Sequence, residues 1–441
     1  MTLGESEESI SAAPSRRSKA RSAVRGVALD ISPLRDNPSY RRLWWGEALS
    51  FVGSQMTSVA LAVQVYDITG SSFAVGLLGL FALVPLISLG LYGGAVADSV
   101  DRRRLLIYTQ VGLAATSVVL AVQAVAGLEQ VWLLYVLMAL VSGFFALNSP
   151  ARRAVTPRLV PTQQLAAANA LGQVLFNVGM VIGPLIAGLL IGSVGFAWVY
   201  GVDAVSFVFA IAAVVALPPM PPEGGGTRAG LASVIEGLRF LRSRQVLLMT
   251  FLVDINAMVF GMPRALFPAL AATTFGGDAS VTGLLYAAPA VGALVGVVFG
   301  GWFGRVRRQG LAVLLSVAAW GAAITAFGLT DVLWLACIFL ALAGASDMVS
   351  AVFRTTILQA ATPDSMQGRL GGVFIVVVAG GPRLGDLEAG AVAAVASPQF
   401  SVVSGGIACL AGVALLAALV PRFAAYDAAH PDDAEAEPSR N

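Results

Sequence analysis

The chain has 441 residues, of which 57% are hydrophobic and only 12% charged, with a mean hydropathy of +0.81 and a net charge of +2. Soluble globular chains carry roughly 45–50% apolar and about 25% charged residues, so this composition excludes a water-soluble enzyme and a disordered protein. A single histidine, His430, and two cysteines inside apolar runs, Cys337 and Cys409, exclude a His/Cys metal site and a disulfide framework, and so small a net charge leaves no nucleic-acid footprint.

Residues 1–40 are polar and arginine-rich, with no apolar core or cleavage site of a signal peptide. They read either as a partner-binding arm or as a disordered tail that its charge holds in the cytoplasm. Twelve apolar runs follow, at 42–66, 73–97, 105–127, 131–148, 164–192, 196–217, 247–273, 281–303, 310–329, 332–353, 367–395 and 400–421. Each is long enough to cross the hydrocarbon core as a helix, which takes about 20 residues. The fold class is therefore all-α, a polytopic membrane protein of twelve transmembrane helices.

The connections between spans alternate in charge. Those after spans one, three, five, seven, nine and eleven contain no Lys or Arg. The others hold Arg102–Arg104, then Arg152, Arg153 and Arg158, then Arg228, Arg239, Arg242 and Arg244, then Arg305, Arg307 and Arg308, then Arg354 and Arg369. Cytoplasmic loops carry the Lys/Arg excess, which places both termini in the cytoplasm.

The chain divides once, at Pro218-Pro219-Met220-Pro221-Pro222 and Gly224–Gly226, which cannot continue a helix. Leu231, Val234, Ile235, Leu238 and Leu241 then recur at helical spacing beside Glu236, Arg239 and Arg242, an amphipathic helix of the inner surface. The organisation is a tail (1–40), a six-helix half (41–217), a linker (218–246), a second six-helix half (247–421) and a C-terminal tail (422–441). The halves echo each other. Gly94 to Arg102 aligns with Gly300 to Arg308 after the second span of each half. Arg152 precedes Pro161 by nine residues, as Arg354 precedes Pro363, after the fourth. Such parallel repeats mark transporters built around a pseudo-two-fold axis along the membrane normal.

These features resemble the major facilitator superfamily. Gly94, Asp98, Asp101, Arg102, Arg103 and Arg104 are similar to that superfamily's loop signature after span two; Ser99 stands where the family has a basic residue, and Arg305 takes the matching place in the second half. Gly179, Gly183, Pro184 and Gly188 in span five are similar to the motif of proton-driven exporters. The segments Pro150 to Leu171, Gln359 to Arg369 and Gly380 to Asp386 resemble the enterobactin-exporter branch, with macrolide-efflux proteins in a neighbouring branch. The resemblance implies a secondary transporter of the bacterial plasma membrane that exports a small molecule, siderophore or drug. It implies protons as coupling ion, no cofactor, a lipid bilayer as surroundings, a monomer, and no enzymatic activity. No Gly-x-x-x-x-Gly-Lys loop for ATP is present.

A charge at mid-span costs about 2.5–3.5 kcal/mol on insertion scales, so it needs a partner or a wet cavity. Seven residues qualify as substrate or proton sites: Glu47, Asp254, Arg264, Asp347, Arg383, Asp386 and Glu388. The resemblance places all of them in cavity-lining or flanking spans. Arg383 and Asp386, three apart on one helix, are close enough to pair. Glu388 and Asp254 are then the carboxylates expected to carry a proton, and Arg264 can bind an anionic substrate or neutralise a carboxylate. Glu47, Asp254 and Asp347 are equally readable as near-surface or gate anchors. Asp98 with Arg102–Arg104 reads either as a latch pairing across the halves or as positive-inside charge alone. The Gly179–Gly188 stretch reads as close helix contact between the halves at the outer side.

Overall fold

The computed structural model describes residues 30–221 and 231–427; within them, nothing is described of the side chains at 91–95, 97, 98, 231–234, 302, 364, 365, 367–369, 371, 372 and 375. Both tails up to residue 29 and from 428, Gly224–Gly226, and the side chains of Gly94 and Asp98 thus lie outside the described residues.

Twelve long helices follow one another: α1 Pro38–Thr69, α2 Ser72–Ser99, α3 Arg102–Val125, α4 Val131–Leu159, α5 Leu165–Val194, α6 Phe196–Val215, α7 Gln245–Phe260, α8 Ala279–Val298, α9 Gln309–Gly328, α10 Leu333–Ala361, α11 Asp364–Val395 and α12 Pro398–Leu419. Eleven spans among the described residues are long and apolar enough to cross a membrane. α11, with Arg383, Asp386 and Glu388 in its second half, is the twelfth member of the same bundle. Local chemistry sets the short turns. Gly70 closes α1 at φ +61°, a left-handed value that costs a glycine little. The hydroxyl of Ser71 then accepts from the Ala74 N–H and caps α2, and Ser397 caps α12 through Phe400 in the same way. Large apolar side chains face outward all round the bundle, among them Val122, Phe209, Leu315, Trp334 and Leu415, as a lipid-facing surface requires.

The packing repeats. In the first half α1 packs on α5 and α6, α2 on α4, and α3 on α4 and α6; in the second α7 packs on α11 and α12, α8 on α10, and α9 on α10 and α12. The halves meet through α2 with α11 and α5 with α8, again a symmetric pair. That contact is tightest at the end away from the arginine-rich loops. A methyl group on Gly188 of α5 would stand 2.6 Å from the Ala279 carbonyl oxygen and 2.9 Å from the Ser280 Cα at the start of α8, and one on Gly390 of α11 would stand 2.7 Å from the Ser72 carbonyl oxygen. These neighbours are backbone and cannot swing aside. Gly188→Ala is therefore expected to pry α5 from α8 and open this end, an overpacking cost of about 1–3 kcal/mol. Faster alkylation of a cysteine introduced in the cavity, by a membrane-impermeant maleimide applied from this side, checks it.

Four expected spans are corrected. Spans four and ten do not stop at 148 and 353: α4 runs through Pro150 and Pro157 to Leu159, and α10 runs to Ala361. Arg152, Arg153, Arg158 and Arg354 are therefore helical residues, not loop residues. Span seven is not one helix. α7 ends at Phe260, a single 3-10 turn covers Arg264–Leu266, and a short helix Phe267–Thr273 completes the crossing. Span eight stops at Val298 and is followed by the 3-10 turn Gly300–Arg305. The linker helix spans Leu231–Ser243; Leu241 is buried with Leu247, Phe251, Leu370 and Val373, while Ile235 and Leu238 face out beside Arg239 and Arg242.

Candidate central cavity

The break in span seven builds the centre of the molecule. Pro263 offers no N–H to continue the helix, and a freed backbone inside a membrane protein must find other partners. It finds them in three helices. The Gly261 carbonyl accepts from Trp320 Nε1 of α9 at 3.0 Å, the Arg264 carbonyl accepts from the Tyr286 hydroxyl of α8 at 2.9 Å, and the Ala265 N–H donates to Asp386 Oδ1 of α11 at 3.2 Å. Broken helices at mid-membrane are where transporters of this kind of symmetry place substrates.

Two chambers meet here. One, about 80 Å³, lies between the halves and is lined by Gln55, Met138, Met180, Arg264, Tyr286, Arg383 and Asp386, among others. The other, about 210 Å³, runs within the first half past Phe51, Phe176, Gln110, Asn148 and Asp203 to Glu47 and Arg152. Arg383 borders both. Its expected ion pair with Asp386 does not form within 4.0 Å: Asp386 is spent on the Ala265 N–H, and the buried Nε of Arg383 has no hydrogen-bond partner. Arg264 and Arg383 both act on Asp386 electrostatically. Two guanidiniums beside one carboxylate give the inter-half chamber donors available to an anionic oxygen.

Towards the arginine-rich end, each half holds one ion pair at equivalent places. Arg152 Nε of α4 stands 3.7 Å from Glu47 Oε1 of α1. Arg354 of α10 pairs with Asp254 of α7 and lies 3.6 Å from Asp347 of its own helix. Glu47 and Asp254 each sit nine residues into their helices. Sequence reasoning had assigned both arginines to loop charge; their shared spacing to Pro161 and Pro363 was the signal that they are structural equivalents. Asp254, expected either to carry a proton or to anchor a gate, is thus found paired with Arg354.

One functional candidate was missed altogether. Asp203 of α6 is 2% exposed, and its Oδ2 accepts from Thr57 of α1 and Ser117 of α3, each at 2.7 Å. Its Oδ1 has no hydrogen-bond partner. An aspartate in the apolar run Phe196–Val215 was itself the available signal, since its insertion cost demands a reason.

The remaining expected residues fall elsewhere. Glu388, two positions beyond Asp386 and so over half a turn round the helix, lines neither chamber. Neither do Asp254 and Asp347. Gly179 and Gly183 receive Phe51 and Gln55 of α1, contacts inside their own half; only Pro184 and Gly188 meet the other half, at Gly283. Asp101 caps α3 through the Arg104 N–H at 3.1 Å and accepts from the Met220 N–H at 3.1 Å, while Arg103 donates to the Val215 carbonyl at 2.5 Å. These contacts fasten the loop to the end of α6 in its own half. Arg305 is exposed. Among the described residues, no group of three or more His, Cys, Asp or Glu is placed to hold a metal ion.

Residues 28–439 match the family model described as transmembrane secretion effector. The chain is 32% identical over 395 residues to the enterobactin exporter of Shigella boydii serotype 18, covering 89% of this chain and 94% of that relative, and 31% identical, over the same shares, to the enterobactin exporter of Escherichia coli O1:K1 / APEC. Among solved structures, a bacterial homologue of the human lysosomal transporter Spinster, in an inward-facing and unoccupied conformation, superposes with a TM-score of 0.67 at 15% identity, covering 93% of this chain and all of that one. The nucleoside transporter NupG superposes with a TM-score of 0.66 at 11% identity, covering 87% and 98%. At these identities the solved structures speak for the fold alone. The resemblance read from the connecting segments is borne out.

Proposed function

The chain belongs to the transmembrane secretion effector family of the major facilitator superfamily, and from that membership we propose that it exports a siderophore of the enterobactin kind, or a closely related small molecule, by alternating access coupled to proton antiport. The arginine-rich loops lie in the cytoplasm on this reading, with both termini. The closed end is then the outer one, and the protein stands ready to load from the cytoplasm. It works as a monomer, because each chain contains both halves and the cavity between them.

The observation that carries the proposal is the inter-half chamber at the break in span seven, with Arg264 and Arg383 facing a single carboxylate, Asp386. Catecholate oxygens are strong acceptors for guanidinium N–H groups, and Met138, Met180 and Tyr286 supply polarisable and aromatic surface for the rings. A strain deleted for this gene is expected to retain a catecholate siderophore inside the cell and release less to the medium. Normal siderophore release together with new sensitivity to hydrophobic drugs would replace the siderophore with a drug as substrate.

A further inference from the structure

We propose that Asp203 is a proton-binding site of this protein, loaded from the chamber of the first half. The inference rests on the antiport reading above and names a residue for it.

Among the described residues, Asp203 has no ion-pair partner within 4.0 Å. α6 packs on α1, α3 and α5. The titratable groups of α1 are Tyr40, Arg41, Arg42 and Glu47 towards the arginine-rich end and Tyr66 and Asp67 at the other. Those of α3 are Arg102–Arg104 and Tyr108, and α5 has none. On α6 itself the Tyr200 hydroxyl donates to Gln64 Oε1. The polar company of the Asp203 carboxylate is the hydroxyl groups of Thr57, Ser117 and Ser206. A buried carboxylate without a cation is costly, and neutralisation by a proton removes that cost.

The geometry suits that step. Thr57 and Ser117 both donate to Oδ2, which accepts equally well as a carboxylate or as the carbonyl oxygen of a carboxylic acid. A proton from cavity water adds to Oδ1, the oxygen without a partner, and leaves both hydroxyl bonds in place. Gly53 lets α1 pack closely against Oδ1: a Cβ there would stand 2.5 Å from that oxygen and 2.7 Å from the Ser206 hydroxyl. Asp203 lines the larger chamber with Ser117, Gln110 and Asn148, and the buried Oε1 of Gln110 also lacks a partner. Two unsatisfied acceptors on one cavity wall suit ordered water that leads to Glu47 and Arg152 at the chamber's far end. The same carboxylate ties α6 to α1 and α3, and α1 brings Gln55 and Ser58 to the inter-half chamber. The charge on Asp203 is thus one helix away from the substrate.

The test uses the full chain in proteoliposomes with enterobactin as the probe. Asp203→Asn is expected to lose the stimulation of transport by an imposed pH gradient, down to the rate without a gradient, while enterobactin counterflow persists. Asp203→Glu is expected to restore coupling with a displaced pH profile. Infrared titration of the wild type is expected to show a carboxyl C=O band that grows as pH falls, shifts in Asp203→Glu and is missing in Asp203→Asn. Full gradient response in Asp203→Asn overturns the proposal. If the wild type shows no gradient response, the antiport reading fails instead, and the infrared band alone decides whether Asp203 binds a proton. If Asp203→Asn does not fold, the wild-type and Asp203→Glu spectra decide: a titrating band that is the same in both overturns the proposal.

Discussion

Arg354→Ala is expected to cost about 3–5 kcal/mol of stability, the penalty for leaving one member of a buried ion pair without its partner. The Arg354 side chain is 11% exposed and that of Asp254 6%. Removing the guanidinium strands the buried Asp254 carboxylate of α7, whereas removing both charges does not. Arg354→Met combined with Asp254→Asn is therefore expected to recover most of the loss. Thermal unfolding followed by fluorescence-detected gel filtration reads both variants. The equivalent pair of the first half predicts a much smaller effect. Arg152 is 38% exposed and 3.7 Å from Glu47, the regime in which ion pairs contribute roughly 0–1 kcal/mol. Equal destabilisation by Arg152→Ala and Arg354→Ala would show that the two halves do not differ as their burial says.

Arg383→Gln is expected to weaken binding of a catecholate siderophore by roughly 10- to 150-fold, the loss of one charge-assisted hydrogen bond at about 1.5–3 kcal/mol. Glutamine keeps a donor and much of the length, so packing against α2 is preserved and only the charge is lost. Arg383 is also the side chain common to both chambers. Equilibrium binding to purified protein checks the affinity, and a parallel melting curve checks that the fold is retained. Unchanged affinity would move the substrate away from the span-seven break.

The bundle itself was legible because membrane insertion imposes a simple pattern: apolar runs of spanning length, with arginines in alternate connections and none in the rest. What escaped depends on where helices end and which faces meet. Apolar runs end where arginines begin, yet α4 and α10 continue beyond them, because a helix backbone needs no apolar side chains once it reaches the interface. Arg152 and Arg354 therefore looked like loop charge and are interhelical partners. A charge in span six, Asp203, has its meaning only once Thr57 and Ser117 are seen beside it. Glu388 stands out from its neighbours in sequence, but lying two residues beyond Asp386 it points over half a turn away and lines neither chamber. The break at Gly261–Pro263 was visible as residues, but its consequence, a backbone N–H delivered to Asp386, is a tertiary fact.

The central claim is coupled export from the arginine-rich side, and flux into inside-out membrane vesicles tests it most directly. With the vesicle lumen made acidic, wild-type vesicles are expected to accumulate enterobactin above its external concentration. A protonophore is expected to abolish the accumulation, and Arg383→Gln vesicles are expected to show little of it. Accumulation that survives the protonophore, or none at all in wild-type vesicles that contain well-folded protein, would contradict the account.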